Sequence, residues 1–241
     1  MTPAIRPLAL AAMSALLLLG GCKESISDKA FGAKVRAYLL DHPEVLRETA
    51  EALDKKEALA SSDKLGQAIR INRTALERDR RDLVVNPTGK ITVVQFFDYN
   101  CTWCKASAPE VLALIKSRPD VRFVFKDWPV VGGADSERAA RIAFGLRSGD
   151  KGDGLALYRE FIAAKPLDSG AMSRITAASG LDAIALETAA EHAGAEKYLS
   201  DTKALAQRLG LQGTPTFIIG DHVIEGADST KLKAAIDAAK S

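Results

Sequence analysis

The chain has little cysteine, little histidine, almost no net charge and, beyond its first twenty residues, no long apolar run. Three cysteines in 241 residues, at positions 22, 101 and 104, are too few for a disulfide-stapled scaffold and divide into one near the N-terminus and one close pair. Lys and Arg total 33 against 31 Asp and Glu, a formal charge of +2, which is too balanced for a protein that reads nucleic-acid phosphates through a basic face. The histidines are three, His42, His192 and His222. With no second Cys pair, a zinc site built on Cys101 and Cys104 would have two of its four ligands, so no metal site is assigned. At 47% hydrophobic and 27% charged, the chain has the composition of one or two globular domains and not that of a disordered, collagenous or multi-span membrane protein.

What is present falls into three parts. Residues 1–21 hold one early cation, Arg6, then the largely apolar run Leu8–Leu19, then Gly20 and Gly21 before Cys22, the layout of a secretory signal. The run is shorter than the about 20 residues that a bilayer-spanning helix needs. The ending Leu19-Gly20-Gly21-Cys22 resembles the bacterial lipobox, which implies cleavage and acylation of Cys22. Acyl chains contribute about 0.8 kcal/mol per buried CH₂. Two or three of them would hold the protein on a membrane, with the polypeptide on the periplasmic side, where disulfides persist.

Residues 22–85 read as a charged helical arm. Charge reaches 42% over residues 23–82 and drops to 24% over residues 83–241, which places a boundary near Asn86-Pro87-Thr88-Gly89. Phe31, Val35, Tyr38 and Leu39 form the stripe of a short amphipathic helix. Asp41, Pro43 and Glu44 then restart the chain in a capping-box-like pattern. In the next forty residues no Pro and one Gly, Gly66, interrupt; helical throughout, that stretch would reach about 60 Å. Leu46, Leu53, Leu65, Ile69, Leu76 and Leu83 recur at spacings of four and seven with breaks, and Asn72 and Asp79 fall on the seam. The pattern suits an oligomerising arm or an arm that folds back on its own domain.

The chemistry is concentrated just after a buried-strand pattern, Ile91-Thr92-Val93-Val94-Gln95-Phe96-Phe97, which leads into Asp98-Tyr99-Asn100-Cys101-Thr102-Trp103-Cys104-Lys105. Ala106–Lys116 then reads as a helix, with an irregular turn expected at Pro109. Cys101 therefore stands at a strand-to-helix junction, where free amides and the helix dipole lower a thiol's pKa. Cys104 lies about one turn on, within reach of a disulfide. A nucleophile and a resolving thiol result. A structural staple would close too small a loop to stabilise much, whereas two thiolates could hold soft Cu(I). Near the C-terminus, Gly213-Thr214-Pro215-Thr216-Phe217-Ile218-Ile219-Gly220 places a Pro at the start of a strand. A hairpin partner His222–Glu225 and a final helix Lys231–Ala239 follow. By frequency alone the Thr214–Pro215 bond is trans.

Roughly residues 86–241 resemble the DsbA-like branch of the thioredoxin superfamily. The resemblance rests on the strand, the Cys-x-x-Cys opening a helix, and the late Gly-Thr-Pro-Thr before a hairpin and helix. Val121–Pro129 and Ser136–Arg141 add the family's second strand and the entry to its inserted helical subdomain, here about residues 135–209. Asp41-His42-Pro43-Glu44-Val45-Leu46-Arg47 and Phe96–Cys101 resemble, more narrowly, ScsC-type proteins, which are linked to copper tolerance and carry an N-terminal oligomerising segment. The resemblance implies an α/β thioredoxin-like fold with a helical insertion, preceded by the arm. It makes Cys101 an exposed nucleophile, Cys104 a buried resolving thiol and Pro215 a cis-proline facing them, with the backbone of Thr214 pairing with substrate. Thr102 and Trp103 should tune the potential, and Trp103 should touch unfolded substrate or pack as a core aromatic. Where relatives carry a buried acid, this chain has Gln95, which cannot take a proton from the resolving thiol at neutral pH; slower release of mixed disulfides is expected.

These readings converge on an extracytoplasmic, membrane-anchored thiol:disulfide oxidoreductase that needs no cofactor and leans to isomerase or reductase. Its partners would be unfolded or wrongly disulfide-bonded secreted proteins, a membrane redox protein that recycles the Cys pair, and further copies of itself in a dimer or trimer. A monomeric disulfide oxidase and a Cu(I)-binding or thiol-protecting carrier are the alternatives.

Overall fold

The structure, a computed structural model, describes residues 28–149, 153–180 and 182–239. The signal-like segment and Cys22 lie outside the described residues. Two compact units divide the chain, residues 1–58 and 59–241.

In the first unit, helix α1 (Asp28–Asp41) buries none of its residues. Phe31, Val35 and Tyr38 stand exposed along it. His42 and Pro43 separate α1 from α2 (Glu44–Glu77), and the His42 amide closes the end of α1 on the Tyr38 carbonyl at 2.8 Å. Leu46 and Leu53 of α2 are also exposed.

The second unit is built on a five-stranded sheet in the order β1-β3-β2-β4-β5. Its strands are β1 (Leu83–Val85), β2 (Ile91–Phe97), β3 (Val121–Asp127), β4 (Thr216–Ile219) and β5 (His222–Glu225). β2 and β3 are parallel, in register from Ile91↔Val121 to Phe97↔Asp127, and are joined through α3 (Thr102–Ser117); the other pairings are antiparallel. Among the described residues five helices intervene between β3 and β4: α4 (Gly133–Ser148), α5 (Gly154–Ala163), α6 (Ser169–Ala178), α7 (Ala183–Ala190) and α8 (Ala193–Arg208). α9 (Ser229–Ala238) follows β5. Asp153, Asp168, Asp182 and Asp228 cap α5, α6, α7 and α9 by accepting first-turn amides, the role that keeps Asp at helix starts. This is the thioredoxin-like α/β fold with a helical insertion. α3 runs through Pro109 as one α-helix.

Because successive residues of a strand face opposite ways, β2 feeds two cores. Ile91, Val93 and Phe97 join α3 and α5 on one side. Val94 and Phe96 meet Ile69 and Leu76 of α2 and Leu205 and Leu209 on the other. Ile69 and Leu76 thus pack on the chain's own sheet, the fold-back alternative for that part of the seam. A buried ionic cluster backs this side. Lys126 Nζ lies 2.7 Å from Asp82 Oδ2 and donates to the Ala75 carbonyl at 2.5 Å, and the Tyr198 hydroxyl donates to Asp82 at 3.1 Å. Burial pushes the Asp82 carboxyl up to about 6, against the pull of Lys126.

Removing one partner of a buried pair strands the other charge. Lys126→Met is expected to cost about 3–5 kcal/mol in urea unfolding, and adding Asp82→Leu should recover most of it; equal midpoints for the single and double variants would contradict this.

Candidate active site

β2 ends at Phe97, the chain bends through Asp98–Asn100, and Cys101 forms the N-cap of α3 with extended backbone, φ −67° and ψ 123°. An extended N-cap residue leaves the first helical amides pointing toward its own side chain. Cys104 follows one turn inside the helix. Both are free thiols. The Cys101 thiol donates to the Thr214 carbonyl at 3.1 Å, and the Thr214–Pro215 peptide is cis, as the resemblance implied.

One expectation is corrected. Cys101 is only 3% exposed, because its sulfur turns inward onto the Thr214 carbonyl, while the neighbouring Thr102 and Trp103 take the outward positions. Trp103 is 65% exposed, so it is not a core aromatic.

The two sulfurs are driven apart in acidity. Cys101 is lowered to about 5, first by the thiol of Cys104, which donates to it, and further by the Thr214 hydroxyl and the amides of Cys104 and Trp103, with burial opposing. Helix amides alone were the reason read from sequence; the neighbouring thiol is the larger cause. Cys104 is pushed far up, first by burial and then by its hydrogen bond to Cys101. The thiolate therefore resides on Cys101 and the proton on Cys104.

Around this pair, Pro215 is buried and its carbonyl accepts the Gly226 amide at 2.8 Å. A cleft of about 220 Å³ is lined by this loop and the residues around it, Gln212, Gly213, Thr214, Pro215, Thr216, Glu225 and Gly226. Gln95 is 1% exposed, and it lies on β2 between Phe125 and Phe217 of the neighbouring strands. Neither polar atom of its amide is hydrogen-bonded. Tyr158 is buried nearby, its hydroxyl kept un-ionised first by burial and further by the Cys104 sulfur. Among the described residues no group of three or more His, Cys, Asp or Glu could hold a metal ion.

Three residues flanking the cysteines carry contacts that the sequence reading assigned to none of them. Asp98 gathers five hydrogen bonds. Asn100 exchanges two with the backbone of Leu167, at 2.9 and 3.1 Å. Lys105 reaches the Ala164 carbonyl. Asn100 and Lys105 thus bind the Cys turn to the segment between α5 and α6. The only signal available was polar residues directly after an apolar strand, a pattern shared with ordinary loops.

A Cys-x-x-Cys pair at the mouth of α3, facing a cis-proline loop in a thioredoxin-like sheet, is the arrangement of the class of thiol:disulfide oxidoreductases. The model of the DSBA-like thioredoxin domain matches residues 92–236, and the chain belongs to that family. Residues 29–60 match the copper resistance protein ScsC N-terminal domain. The thiol:disulfide interchange protein DsbA of Bordetella pertussis is 27% identical over 161 residues, 62% of this chain and 75% of that protein. Among solved structures, Salmonella enterica Typhimurium BcfH superposes with a TM-score of 0.72 at 30% identity, covering 88% of this chain and 96% of that one. Proteus mirabilis ScsC in a transitional conformation gives 0.65 at 28%, covering 88% and 95%. The protein is thus a thiol:disulfide oxidoreductase of DsbA/ScsC type.

Iodoacetamide labelling of Cys101, followed by mass spectrometry, is expected to be half-maximal near pH 5, about 4 units below a free thiol. Cys101 has its pKa lowered on folding, so between the two values the unfolded chain binds one more proton. The reduced protein should therefore gain stability over Cys101→Ser as pH rises from 5 toward 9 and lose that gain as pH falls through 5. Gln95→Glu should speed release of a mixed disulfide in stopped-flow; an unchanged rate would mean that Gln95 does not limit it.

Proposed function

We propose that Cys101 is the catalytic nucleophile and Cys104 the resolving thiol of a periplasmic, membrane-anchored enzyme that shuffles or reduces disulfides in secreted proteins. The observation that carries this reading is the opposite displacement of the two thiols, thiolate on Cys101 and proton on Cys104. Cys101 attacks one sulfur of a client disulfide, forming a mixed disulfide and expelling a client thiolate. If a second client thiolate then attacks the client sulfur, Cys101 leaves and the client is rearranged. If Cys104 gives up its proton and attacks Cys101 instead, the Cys101–Cys104 disulfide forms and the client departs reduced by two electrons. A membrane redox partner would return the pair to dithiol.

Thr214 and Pro215 would border the client segment and the exposed Trp103 would touch it, with Thr102 and Gln95 tuning the exchange. The lipobox-like Leu19–Cys22 supports an anchor at Cys22, and a solved relative described as a periplasmic thioredoxin-like protein, from Salmonella enterica, supports the compartment. Among the described residues no helix is long and apolar enough to cross a membrane. The exposed apolar residues of α1 and the match of residues 29–60 support oligomerisation through the arm. Several Cys pairs on one assembly would raise their effective concentration at a single client, which favours shuffling. The match to a copper resistance protein's N-terminal domain also keeps a Cu(I)-binding role for the Cys pair in view.

The deciding measurement is the equilibrium reduction potential of the detergent-extracted chain, beside refolding of a scrambled disulfide protein. A potential of about −120 to −200 mV with refolding that is lost in Cys101→Ser is the expected result. A value near about −270 mV means a dedicated reductase. No reversible transition, with copper retained by the reduced protein against a strong competitor, would replace the enzyme by a metal carrier. A monomer by light scattering would remove the shuffling argument.

A further inference from the structure

Asp98 follows the last residue of β2 and is 1% exposed. One carboxylate oxygen accepts from the Asn100 amide at 2.8 Å and from the Ser136 hydroxyl at 2.5 Å. The other accepts from three successive amides, Val130 at 3.0 Å, Val131 at 2.7 Å and Gly132 at 3.0 Å. The main-chain carbonyl of Asp98 takes the Cys101 amide at 3.2 Å. The loop it gathers lies directly on the Cys turn: a Cβ added to Gly132 would stand 2.5 Å from Cβ of Asn100. A single buried anion in a nest of amides therefore joins the residues leading into Cys101 to the loop that opens α4.

Charge and geometry pull in opposite directions here. A carboxylate three residues before a nucleophilic thiolate disfavours it electrostatically. Five donors spread that charge, and what remains is the shape of the turn. The Asn100 and Cys101 amides, held by the side chain and carbonyl of Asp98, set the bend after which Cys101 stays extended at the mouth of α3, where the Trp103 and Cys104 amides help to lower its thiol.

We propose that Asp98 is a positioning residue for thiol exchange, whose buried carboxylate fixes the turn that aims the first amides of α3 at the Cys101 sulfur, and that it acts through this geometry against the sense of its own charge. The proposal deepens the thiol-exchange reading above and rests on it. The other groups that face or influence Cys101 are Cys104 and the half-buried Lys105 of α3, Thr214 before β4, and Lys165 after α5, through its effect on Lys105. They are left intact in the test.

The test follows the pH dependence of Cys101 alkylation in the full chain and in Asp98→Asn and Asp98→Glu, each checked for folding by circular dichroism and thermal melting. Asp98→Asn removes the charge and turns one acceptor into a donor. Asp98→Glu keeps the charge and displaces the carboxylate by one methylene. Geometry predicts that both variants move the midpoint up by about one unit, an approximately tenfold loss of thiolate at pH below the midpoint. A midpoint that falls in Asp98→Asn, as relief of like charge requires, would overturn the proposal. So would midpoints unchanged in both variants, whatever happens to their melting temperatures. Failure of the underlying reading looks different: the unaltered chain itself would show no depressed midpoint and no exchange with a client disulfide.

Discussion

Everything at the site depends on how the chain leaves the central strand. β2 is hydrogen-bonded on both sides, by β3 and β4, and its side chains are buried on both faces apart from the half-buried Thr92, so its direction is not adjustable. The strand's end therefore delivers the chain to a fixed point at the sheet's edge. Within four residues the backbone must turn and start α3, and whichever residue stands at that corner faces unpaired helix amides. Cysteine at that corner becomes acidic first because the Cys104 thiol reaches its sulfur, with the helix amides adding to the effect. The second cysteine, one turn further into the core, keeps its proton because it is buried. Two chemically identical side chains acquire opposite roles from a difference of three positions.

The surroundings hold the corner rather than perform chemistry. Asp98 fastens it to the loop before α4, and Asn100 and Lys105 fasten it to the segment between α5 and α6. Because those anchors sit at the two ends of the α4–α5 stretch, the inserted helices brace the site. A mobile corner would spread the Cys101 sulfur over geometries that lack the amide contacts, and each lost contact would return it toward ordinary thiol behaviour. The same bracing explains why polar residues flank the motif in a region that is otherwise apolar.

Much of this was legible in the residues. The run Ile91–Phe97 announced a buried strand and Cys101 and Cys104 announced the pair, because each is written in contiguous residues with a local physical meaning, whereas Thr214-Pro215 as the loop opposite came only from the family resemblance. What depends on contacts distant in sequence was not legible. Leu83–Val85, three residues long, becomes a strand only because β3 offers a free edge. Ile69 and Leu76 show the same spacing as Leu46 and Leu53, yet the first two are buried and the others exposed; periodicity marks an apolar face but not what covers it. The inward turn of the Cys101 sulfur was hidden for the same reason, since its acceptor lies 113 residues away.

That acceptor gives the loop before β4 a second property. The Thr214 carbonyl is satisfied by the Cys101 S–H, and this bond exists only while the sulfur carries its proton. When the proton leaves, the oxygen faces a negative sulfur and loses that donor, which costs free energy until another donor arrives. An amide N–H arriving on an extended chain would relieve it. In the exchange proposed above, ionisation of Cys101 would leave this oxygen open to an amide of the client chain, so that attraction for a partner and readiness to react would rise together over the same range of pH.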